Sequence, residues 1–353
     1  MIILLNKHIP QSSFEKIIDK LQNFDYEVIN STVQKIIFIN SEIDTYPDHI
    51  FSAMPGVEKI IRTKIRLPKI LKDSKSAVEI KNYHNLSIPH DLKPTIIAGP
   101  CAIESEEQIV NLALKLKSLG VNFLRGGAFK PRTSPYDFQG LGITGLKYIK
   151  TASVKTNLPI VSEIMSTQQL ELGYDYIDIF QVGARNMYNY ELLKELGRQK
   201  KPVLLKRSFS ATIDEFLQSA EYLYANGNNN VILCERGIRS FETQTRNTLD
   251  LNCVAYLKNN FKLPVIVDPS HGTGLSSLVK PMSQAAIACG ADGLIIEVHE
   301  TPQSSVSDSN QAINISQLEE IISIVNTIYS VIHAERIGNN SVMNTTSQTV
   351  TIK

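Results

Sequence analysis

The sequence predicts an α/β protein in which a closed (β/α)8 TIM barrel follows a small α+β domain of the ferredoxin-like type. From Thr95 onward, eight short β-rich runs alternate with helical stretches. These runs are almost continuously apolar, which is typical of parallel strands buried on both faces, and eight of them fit a closed barrel. The first 66 residues instead follow the order β-α-β-β-α-β, which is that of the split ferredoxin-like unit. A doubly wound open sheet is the alternative to the barrel.

The N-terminal domain is predicted to span residues 1–66. Its strands and helices are expected, in chain order, at 2–5, 12–23, 27–31, 35–39, 46–54 and 57–63. Ser12 and Ser13 predict the N-cap of the first helix, and Pro55-Gly56 ends the second helix. Residues 67–94 are expected to form a polar connector with one short strand at 78–81. Neither segment contains a group of residues that suggests catalysis.

The barrel is predicted over residues 95–337. Its eight strands are expected at 95–99, 122–125, 159–163, 176–182, 202–206, 231–235, 264–268 and 293–298. Helical stretches separate them, and a last helix at 316–335 completes the barrel. The remaining segment, 338–353, is rich in Ser, Thr and Asn and is expected to be a loose tail.

The composition is that of an ordinary globular protein, with 42% apolar and 20% charged residues. A formal net charge of +1 argues against a nucleic-acid partner, which usually requires a markedly basic face. No apolar run is long enough to cross a membrane, and the first residues lack the pattern of a signal peptide, so we expect a cytoplasmic protein. The four cysteines lie far apart without a CxxC spacing, which argues against a disulfide framework.

Every predicted barrel strand ends in a polar, ionisable or thiol group. Because such barrels build their active site at the carboxyl ends of the strands, these groups are expected to share one rim. The cations at or just after the strand ends are Arg125, Lys130, Arg132, Arg185, Lys206, Arg207 and Arg236. These like charges would repel one another unless an anion lay among them, which predicts a phosphorylated substrate with more than one phosphate or carboxylate group.

The segment 124–142, LRGGAFKPRTSPYDFQGLG, carries three of these cations. Its Gly and Pro residues exclude a regular helix or a central strand. Arginine holds carboxylate and phosphate groups through two hydrogen bonds, whereas lysine acts as a point charge. The loop therefore suits the binding of anions. The alternative is a basic loop that is only exposed to water.

Four further residues of the same rim suggest a divalent metal site: Cys101, His271, Glu297 and Asp308. They follow strands one, seven and eight, which become neighbours when the barrel closes. Sulfur, nitrogen and oxygen ligands together suit zinc, iron or manganese better than magnesium or calcium. Taken singly, a lone cysteine is usually a small buried apolar residue and a lone histidine a core or capping residue. Their shared location favours the metal.

Several motifs resemble those of 3-deoxy-D-arabino-heptulosonate 7-phosphate (DAHP) synthase, in the class with a small N-terminal ferredoxin-like domain. They are AGPCAIES (98–105), LRGGAFKPRTSPYDFQGLG (124–142), VGARN (182–186), LLKR (204–207), ERGIRSFET (235–243), DPSHGTG (268–274), IIEVH (295–299) and VSDSNQ (306–311). The resemblance covers residues 95–313. It implies condensation of phosphoenolpyruvate with erythrose 4-phosphate, the first step of the shikimate pathway, and a divalent metal (Mn, Fe, Zn or Co) on the four residues above.

The same resemblance implies roles for individual residues. Arg125 and Lys130 would hold the carboxylate and the reacting centre of phosphoenolpyruvate. Its phosphate would be bound by Arg185, Lys206 and Arg236, and the aldose phosphate by Lys130, Pro131, Arg132 and Thr133. The candidates for proton transfer are Lys130 at the new hydroxyl and Glu163 or His271 at the attacking water.

Two other functions are left open. The related 3-deoxy-D-manno-octulosonate 8-phosphate synthase joins phosphoenolpyruvate to arabinose 5-phosphate. Its counterpart of KPRTS resembles KANRS, whose Asn makes room for the longer sugar, whereas this sequence has Pro131 in the segment. A non-catalytic amino-acid sensor is expected to have lost a metal ligand or a cation, and all are present.

The resemblance also implies regulation and assembly. Residues 1–66 would bind an aromatic amino-acid effector, Phe or Tyr, and the subunits would form a homo-tetramer. A passive stabilising or oligomerising domain is the alternative for residues 1–66.

Overall fold

The computed structural model describes residues 2–6, 8–30, 35–39, 48–61, 67–81, 83, 86–90, 93–132 and 134–346. The chain divides into two compact units, Met1–Arg66 and Leu67–Lys353. Within the described ranges, no helix combines the length and the apolarity needed to cross a bilayer.

The first unit contains a four-stranded antiparallel sheet and two helices. Its elements are β1 (Ile2–Leu5), α1 (Gln11–Lys20), β2 (Tyr26–Asn30), β3 (Lys35–Ile39), α2 (Asp48–Ser52) and β4 (Val57–Ile61). The strand order is β2-β3-β1-β4, and the paired strands are antiparallel, which is the predicted ferredoxin-like arrangement. Its core consists of Ile3, Leu5, Ile17, Leu21, Ile37, Ile39 and Phe51.

Helix α1 begins one residue earlier than predicted. Pro10 occupies the N-cap position with a φ of −57°, and no side chain caps the helix. Ser12 and Ser13 therefore lie inside the first turn, and the predicted serine cap is wrong. The fixed φ of proline is already compatible with helix entry, so a polar cap is not required here.

The connector between the first unit and the barrel is more regular than predicted. It contains α3 (Pro68–Asp73) and a hairpin of β5 (Val78–Glu79) and β6 (Ser87–Ile88). Val78 and Ile88 pack against residues that point into the barrel. The hydroxyl of Tyr83 lies 3.3 Å from Asp178, which directly precedes a barrel strand. The hairpin therefore covers the amino ends of the strands, opposite the rim where the cations were predicted.

Eight parallel strands form a closed barrel, which confirms the predicted (β/α)8 architecture and excludes the open sheet. They are β7 (Thr95–Gly99), β8 (Phe123–Arg125), β9 (Ile160–Ile164), β10 (Ile179–Val182), β11 (Val203–Lys206), β12 (Val231–Glu235), β13 (Val265–Val267) and β14 (Gly293–Glu297). Pairing of β14 with β7 closes the ring. Every residue of β7, β12 and β14 is buried, as expected for strands covered on both faces.

Helices surround the barrel and bury their apolar faces against it. They are α4 (Glu106–Ser118), α5 (Ile143–Thr156), α6 (Thr167–Gly173), α7 (Tyr190–Arg198), α8 (Ile213–Ala225), α9 (Leu251–Asn260), α10 (Pro269–Thr273), α11 (Ser276–Ala288) and α12 (Ile315–Thr346). Several begin with a side-chain cap, such as Thr212, which forms a reciprocal capping box with Glu215.

Helix α12 differs from the predicted C-terminal boundary. The sequence placed the end of the helix at 335 and a loose tail from 338, whereas the helix continues to Thr346. Extension of an existing helix adds one hydrogen bond for each residue that is fixed, and this segment contains no proline. Polar composition alone therefore does not end the helix. Residues 347–353 of the predicted tail lie outside the described residues.

Candidate active site

A cavity of about 200 Å³ opens at the carboxyl ends of the barrel strands. Its walls include six of the cations expected on this rim, namely Arg125, Lys130, Arg132, Arg185, Lys206 and Arg236. Three carboxylate residues also line it, Asp137, Glu163 and Asp308. The cavity therefore carries an excess of positive charge and suits a small anion with more than one charged group.

Arg207, the seventh predicted cation, is not among the residues that line the cavity, and this part of the prediction is wrong. Its Nη1 atom donates to Glu235 Oε2 at 3.0 Å and to Asp250 Oδ2 at 2.8 Å, and its side chain is buried. Successive residues of a strand point to opposite faces. Lys206 reaches the cavity, so its neighbour points outward and pairs with carboxylates between the strands and helices.

Arg246 lines the cavity but was not predicted. Its Nη1 atom lies 2.9 Å from Gln311 Oε1 and 3.4 Å from Asp308 Oδ1. The residue stands ten positions after Arg236 in the long loop between β12 and α9, so inspection of the strand ends does not find it. The TRN segment in this loop offers no charge pattern that would have distinguished it from a solvent-exposed cation.

The four predicted metal ligands lie together beside the cavity. One ligand atom from each of Cys101, His271, Glu297 and Asp308 can be chosen so that all four lie within 4.8 Å of one another. Cys101 follows β7, His271 lies in α10, Glu297 ends β14 and Asp308 lies in the next loop. The closed ring places β14 beside both β7 and β13, which is why positions far apart in sequence meet.

The chemistry of this cluster fits a divalent cation. Glu297 Oε1 is buried and makes no hydrogen bond, although it lies 3.2 Å from both His271 Nε2 and Arg125 Nη1. Burial raises the pKa of the Cys101 thiol to about 12, and the charge of Glu297 adds to this effect. A bound metal ion would reverse that shift, since a coordinating thiol loses its proton. Mixed sulfur, nitrogen and oxygen donors are those of zinc, iron or manganese sites.

Asp268 orients His271 toward the cluster. Its Oδ1 accepts the backbone N–H of His271 at 2.9 Å as the N-cap of α10, and its Oδ2 lies 2.8 Å from His271 Nδ1. This contact fixes the ring so that Nε2 faces Glu297. Metal-binding histidines usually have their second ring nitrogen held by a carboxylate or a carbonyl group in this way. Burial opposes ionisation of Asp268, but His271 and Lys206 hold its pKa well below the ordinary value. Its orienting role was not predicted, although DPSH is visible in the sequence.

Lys130 connects the cavity to the cluster. Its Nζ atom lies 2.9 Å from both the sulfur and the backbone carbonyl oxygen of Cys101. Gly127 permits this approach, because a Cβ there would lie 2.6 Å from that carbonyl oxygen and 2.8 Å from Lys130 Cδ. Burial lowers the pKa of Lys130, but the nearby Cys101 and Glu297 outweigh it and raise the pKa. The ammonium is therefore retained in a buried position.

Pro131 and Arg132 line the cavity together with Lys130. Arg132 is held by two contacts, from Nη2 to Ser307 Oγ at 2.5 Å and from Nε to the Phe138 carbonyl at 3.1 Å. Ser307 precedes the cluster residue Asp308, so the basic loop contacts the metal-site loop. Thr133, which was predicted to bind the same substrate, lies outside the described residues.

Glu163 lies in the cavity wall beside Gly183. Its Oε2 accepts a hydrogen bond from Gln181 Nε2 at 3.1 Å. A Cβ on Gly183 would lie 1.9 Å from Glu163 Oε1, so the glycine makes space for this carboxylate. Of the three carboxylate residues that line the cavity, Asp308 belongs to the four-residue cluster and Asp137 lies in a loop. Glu163 lies on barrel strand β9.

Arg185 and Arg236 share one face of the cavity with Phe209. Their guanidinium carbons lie 5.6 Å and 5.2 Å from the centre of the Phe209 ring, within the range of cation–π attraction. Burial lowers the pKa of Arg236, an effect opposed by Asp268. Lys206 joins this group, with its Nζ atom 2.5 Å from Asp268 Oδ2. Three cations thus converge where an anion can be enclosed.

The barrel, its cationic cavity and the adjoining cluster define an enzyme that acts on small anionic substrates. The chain belongs to the DAHP synthetase I family, whose model matches residues 75–334. It is 50% identical over 228 residues to phospho-2-dehydro-3-deoxyheptonate aldolase of Thermotoga maritima, covering 65% of this chain and 68% of the relative. The crystal structure of that Thermotoga maritima enzyme, also called DAHP synthase, superposes with a TM-score of 0.75 and 38% identity, covering 94% of this chain and 97% of the other.

A more distant relative carries a different name. The 2-dehydro-3-deoxyphosphooctonate aldolase of Thioalkalivibrio sulfidiphilus is 28% identical over 268 residues, which cover 71% of this chain and 95% of the relative. The identity to the heptonate enzyme is thus much higher than the identity to this octonate enzyme.

Proposed function

We propose that the protein is a DAHP synthase that condenses phosphoenolpyruvate, erythrose 4-phosphate and water to DAHP and inorganic phosphate. The observation that carries the proposal is the position of Lys130, which lines the cationic cavity and lies 2.9 Å from the sulfur of Cys101. An anionic substrate in the cavity would therefore lie directly beside the four-residue cluster. The reaction places the protein at the first step of the shikimate pathway, and thus in aromatic amino-acid and chorismate biosynthesis.

Phosphoenolpyruvate would be held at both of its charged ends. Arg185, Lys206 and Arg236 form the proposed phosphate site, supported by their convergence around Phe209 and Asp268. Arg125 and Lys130 form the proposed carboxylate site, since both line the same cavity. Charge-assisted hydrogen bonds from fixed arginines give strong and directional binding of such groups.

Erythrose 4-phosphate would lie along the basic loop. Lys130, Pro131 and Arg132 line the cavity on this side, and Thr133 is assigned by sequence alone. The contacts of Arg132 with Ser307 and Phe138 fix its guanidinium in advance, which lowers the entropy lost when the substrate binds.

A divalent metal, one of Mn, Fe, Zn or Co, would be held by Cys101, His271, Glu297 and Asp308. When bound, it would supply Lewis-acid polarisation of the aldehyde of erythrose 4-phosphate. Asp268 would keep His271 Nδ1 protonated. The other ring nitrogen, Nε2, is then unprotonated and can offer its lone pair to the metal.

The chain's own residues would orient the reactants and move two protons. A bond forms between C3 of phosphoenolpyruvate and the aldehyde carbon, and Lys130 Nζ gives a proton to the new hydroxyl. Water adds at C2 and loses one proton to Glu163 or His271. The bond between C2 and the phosphate oxygen then breaks as the C2 hydroxyl becomes the ketone, and the proton of that hydroxyl leaves with the phosphate. The contacts of both His271 ring nitrogens favour Glu163 for this transfer. Alignment of two bound anions accounts for much of the acceleration.

The choice of aldose distinguishes this proposal from the octulosonate synthase. The octulosonate synthase resembles KANRS where this chain has KPRTS, and Pro131 lines the cavity together with Lys130 and Arg132. The test is the consumption of phosphoenolpyruvate with Mn²⁺ and either erythrose 4-phosphate or arabinose 5-phosphate. Faster consumption with erythrose 4-phosphate supports the proposal, and preference for arabinose 5-phosphate contradicts it. Folded protein without turnover on either sugar would favour the amino-acid sensor.

Regulation by residues 1–66 is part of the proposal. This unit has its own apolar core and is separate in fold from the barrel that carries the cavity. We propose that it binds Phe or Tyr as an effector, in a cytoplasmic homo-tetramer. Deletion of residues 1–66 tests the regulatory role: inhibition by either amino acid should be lost while turnover remains. Inhibition that persists undiminished in the truncated protein would refute it.

A further inference from the structure

Each carboxylate of the four-residue cluster has one oxygen toward the cluster and one oxygen held from outside it. Glu297 Oε1 lies 3.2 Å from both His271 Nε2 and Arg125 Nη1, whereas Glu297 Oε2 accepts a hydrogen bond from Gln311 Nε2 at 2.5 Å. Asp308 Oδ2 lies 2.9 Å from the Cys101 sulfur, whereas Asp308 Oδ1 faces Arg246 Nη1 at 3.4 Å. Gln311 and Arg246 thus hold the two carboxylate oxygens that face away from the cluster.

Gln311 and Arg246 are themselves joined. Arg246 Nη1 donates to Gln311 Oε1 at 2.9 Å, and this bond fixes the orientation of the Gln311 amide with its NH₂ group toward Glu297. The backbone N–H of Gln311 also donates to the Asp308 carbonyl at 3.2 Å. Arg246 and Gln311 therefore form one connected pair that contacts both Glu297, on strand β14, and Asp308, in the loop after it.

The surroundings hold this pair in place. Gln311 is 2% exposed, so its amide makes its hydrogen bonds inside the protein. The backbone N–H of Arg246 donates to the Thr273 carbonyl at 2.9 Å. A Cβ on Gly274, which has a φ of +72°, would lie 2.5 Å from Arg246 Cβ, so the glycine leaves room for the arginine.

We propose that Arg246 and Gln311 are positioning residues that present Glu297 Oε1 and Asp308 Oδ2 to the divalent metal. The inference rests on the metal site of the proposed function and adds two residues to it. Without Gln311, Glu297 Oε2 loses its hydrogen bond, and Arg125 alone holds this carboxylate from outside the cluster. Without Arg246, both the Gln311 amide and the Asp308 carboxylate lose a fixed partner. Outer partners of metal ligands typically contribute about 10- to 100-fold in affinity.

The test is titration of the metal-free full chain with Co²⁺, followed by visible absorption. The variants are Gln311→Met, which keeps the length of the side chain without a donor, and Arg246→Leu, with Arg246→Lys as the conservative variant. Gln244→Met is the matched control, since Gln244 is an exposed residue of the same loop. Near-ultraviolet circular dichroism of the metal-free proteins checks that each variant is folded.

We expect Gln311→Met and Arg246→Leu to bind Co²⁺ about 10- to 100-fold more weakly, with an altered ligand-field spectrum. Arg246→Lys should recover part of the affinity, and the control should match the parent protein. Affinities within twofold of the parent and an unchanged spectrum in folded variants would overturn the proposal. If the parent protein binds no Co²⁺, both the metal site and the roles of Arg246 and Gln311 are refuted. If the parent protein and the variants bind Co²⁺ equally, only the roles of Arg246 and Gln311 are refuted. If Gln311→Met does not fold, the variants of the exposed residue Arg246 decide the question alone.

Discussion

The ammonium of Lys130 lies 2.9 Å from the sulfur of Cys101. The contact joins the loop expected to hold two anionic substrates to the cluster expected to hold a metal ion. Both groups are buried, where an ammonium persists only beside negative or strongly polar partners. The arrangement places a proton donor at the boundary between the substrate cavity and the cluster.

Replacement of Lys130 by Met should reduce kcat by about 10²- to 10⁴-fold, the usual contribution of a positioned acid or base. Lys147, an exposed lysine of helix α5, provides the control Lys147→Met. Steady-state kinetics with both substrates measure the effect. A Lys130→Met enzyme with parental kcat would show that this ammonium transfers no proton in the reaction.

Cys101→Ser should weaken metal binding by at least about 10-fold, because a hydroxyl replaces the one soft ligand of the cluster. Chelation of the parent enzyme should abolish turnover, and added Mn²⁺ should restore it. Cys289→Ser is the control, since Cys289 lies at the end of α11 and away from the cluster. Turnover that is unaffected by exhaustive metal removal would contradict the metal assignment.

Asp268→Asn should impair His271 and Lys206 together, because Asp268 Oδ2 contacts both. An amide oxygen accepts more weakly and carries no charge, so the histidine loses its fixed orientation and the lysine its counterion. We expect metal affinity to fall by about 10- to 100-fold, measured by competition with a chromogenic chelator. Parental affinity in the folded variant would show that the orientation of His271 does not depend on this carboxylate.

Acid should destabilise the metal-free protein through the same carboxylate. Its pKa in the folded state is depressed below the ordinary 3.8, so its contribution is present above that pH and is lost as the pH falls toward the folded value. The free energy of unfolding should therefore decrease as the pH falls below about 4. Denaturant unfolding should show a smaller decrease for Asp268→Asn than for the parent. An equal decrease in both would remove Asp268 as a source of the acid sensitivity.

Gly183→Ala should disturb the reaction more than the fold. The new Cβ would lie 1.9 Å from Glu163 Oε1, so the carboxylate has to leave its place beside Gln181. The φ of Gly183 is −69°, which any residue adopts, and overpacking of this kind costs about 1–3 kcal/mol. We expect a large loss of kcat with a modest change in melting temperature. Parental kcat would indicate that the position of Glu163 is unimportant for turnover.

The sequence predicted the barrel because parallel strands buried on both faces have a distinctive, almost continuously apolar pattern. It also predicted Cys101, His271 and Glu297 as neighbours, since closure of eight strands brings the first and last together. The errors have local causes. Arg207 was misplaced because adjacent strand residues point to opposite faces, and β6 was missed because two residues give too short a pattern.

The residues that organise the site were harder to predict than those that form it. Arg246 and Gln311 lie in long loops, where no periodicity fixes the direction of a side chain. Asp268 was visible in the DPSH motif, but its contact with Lys206 depends on the order β11-β12-β13 around the barrel. Such roles follow from tertiary distances, which a single sequence does not contain.

The most direct test of the proposed reaction is the release of inorganic phosphate by the purified, metal-loaded protein. With phosphoenolpyruvate and erythrose 4-phosphate together, we expect one phosphate for each phosphoenolpyruvate consumed, and none with either substrate alone. Phosphate release from phosphoenolpyruvate without the aldose, or none from both substrates in a folded protein that binds metal, would contradict the account.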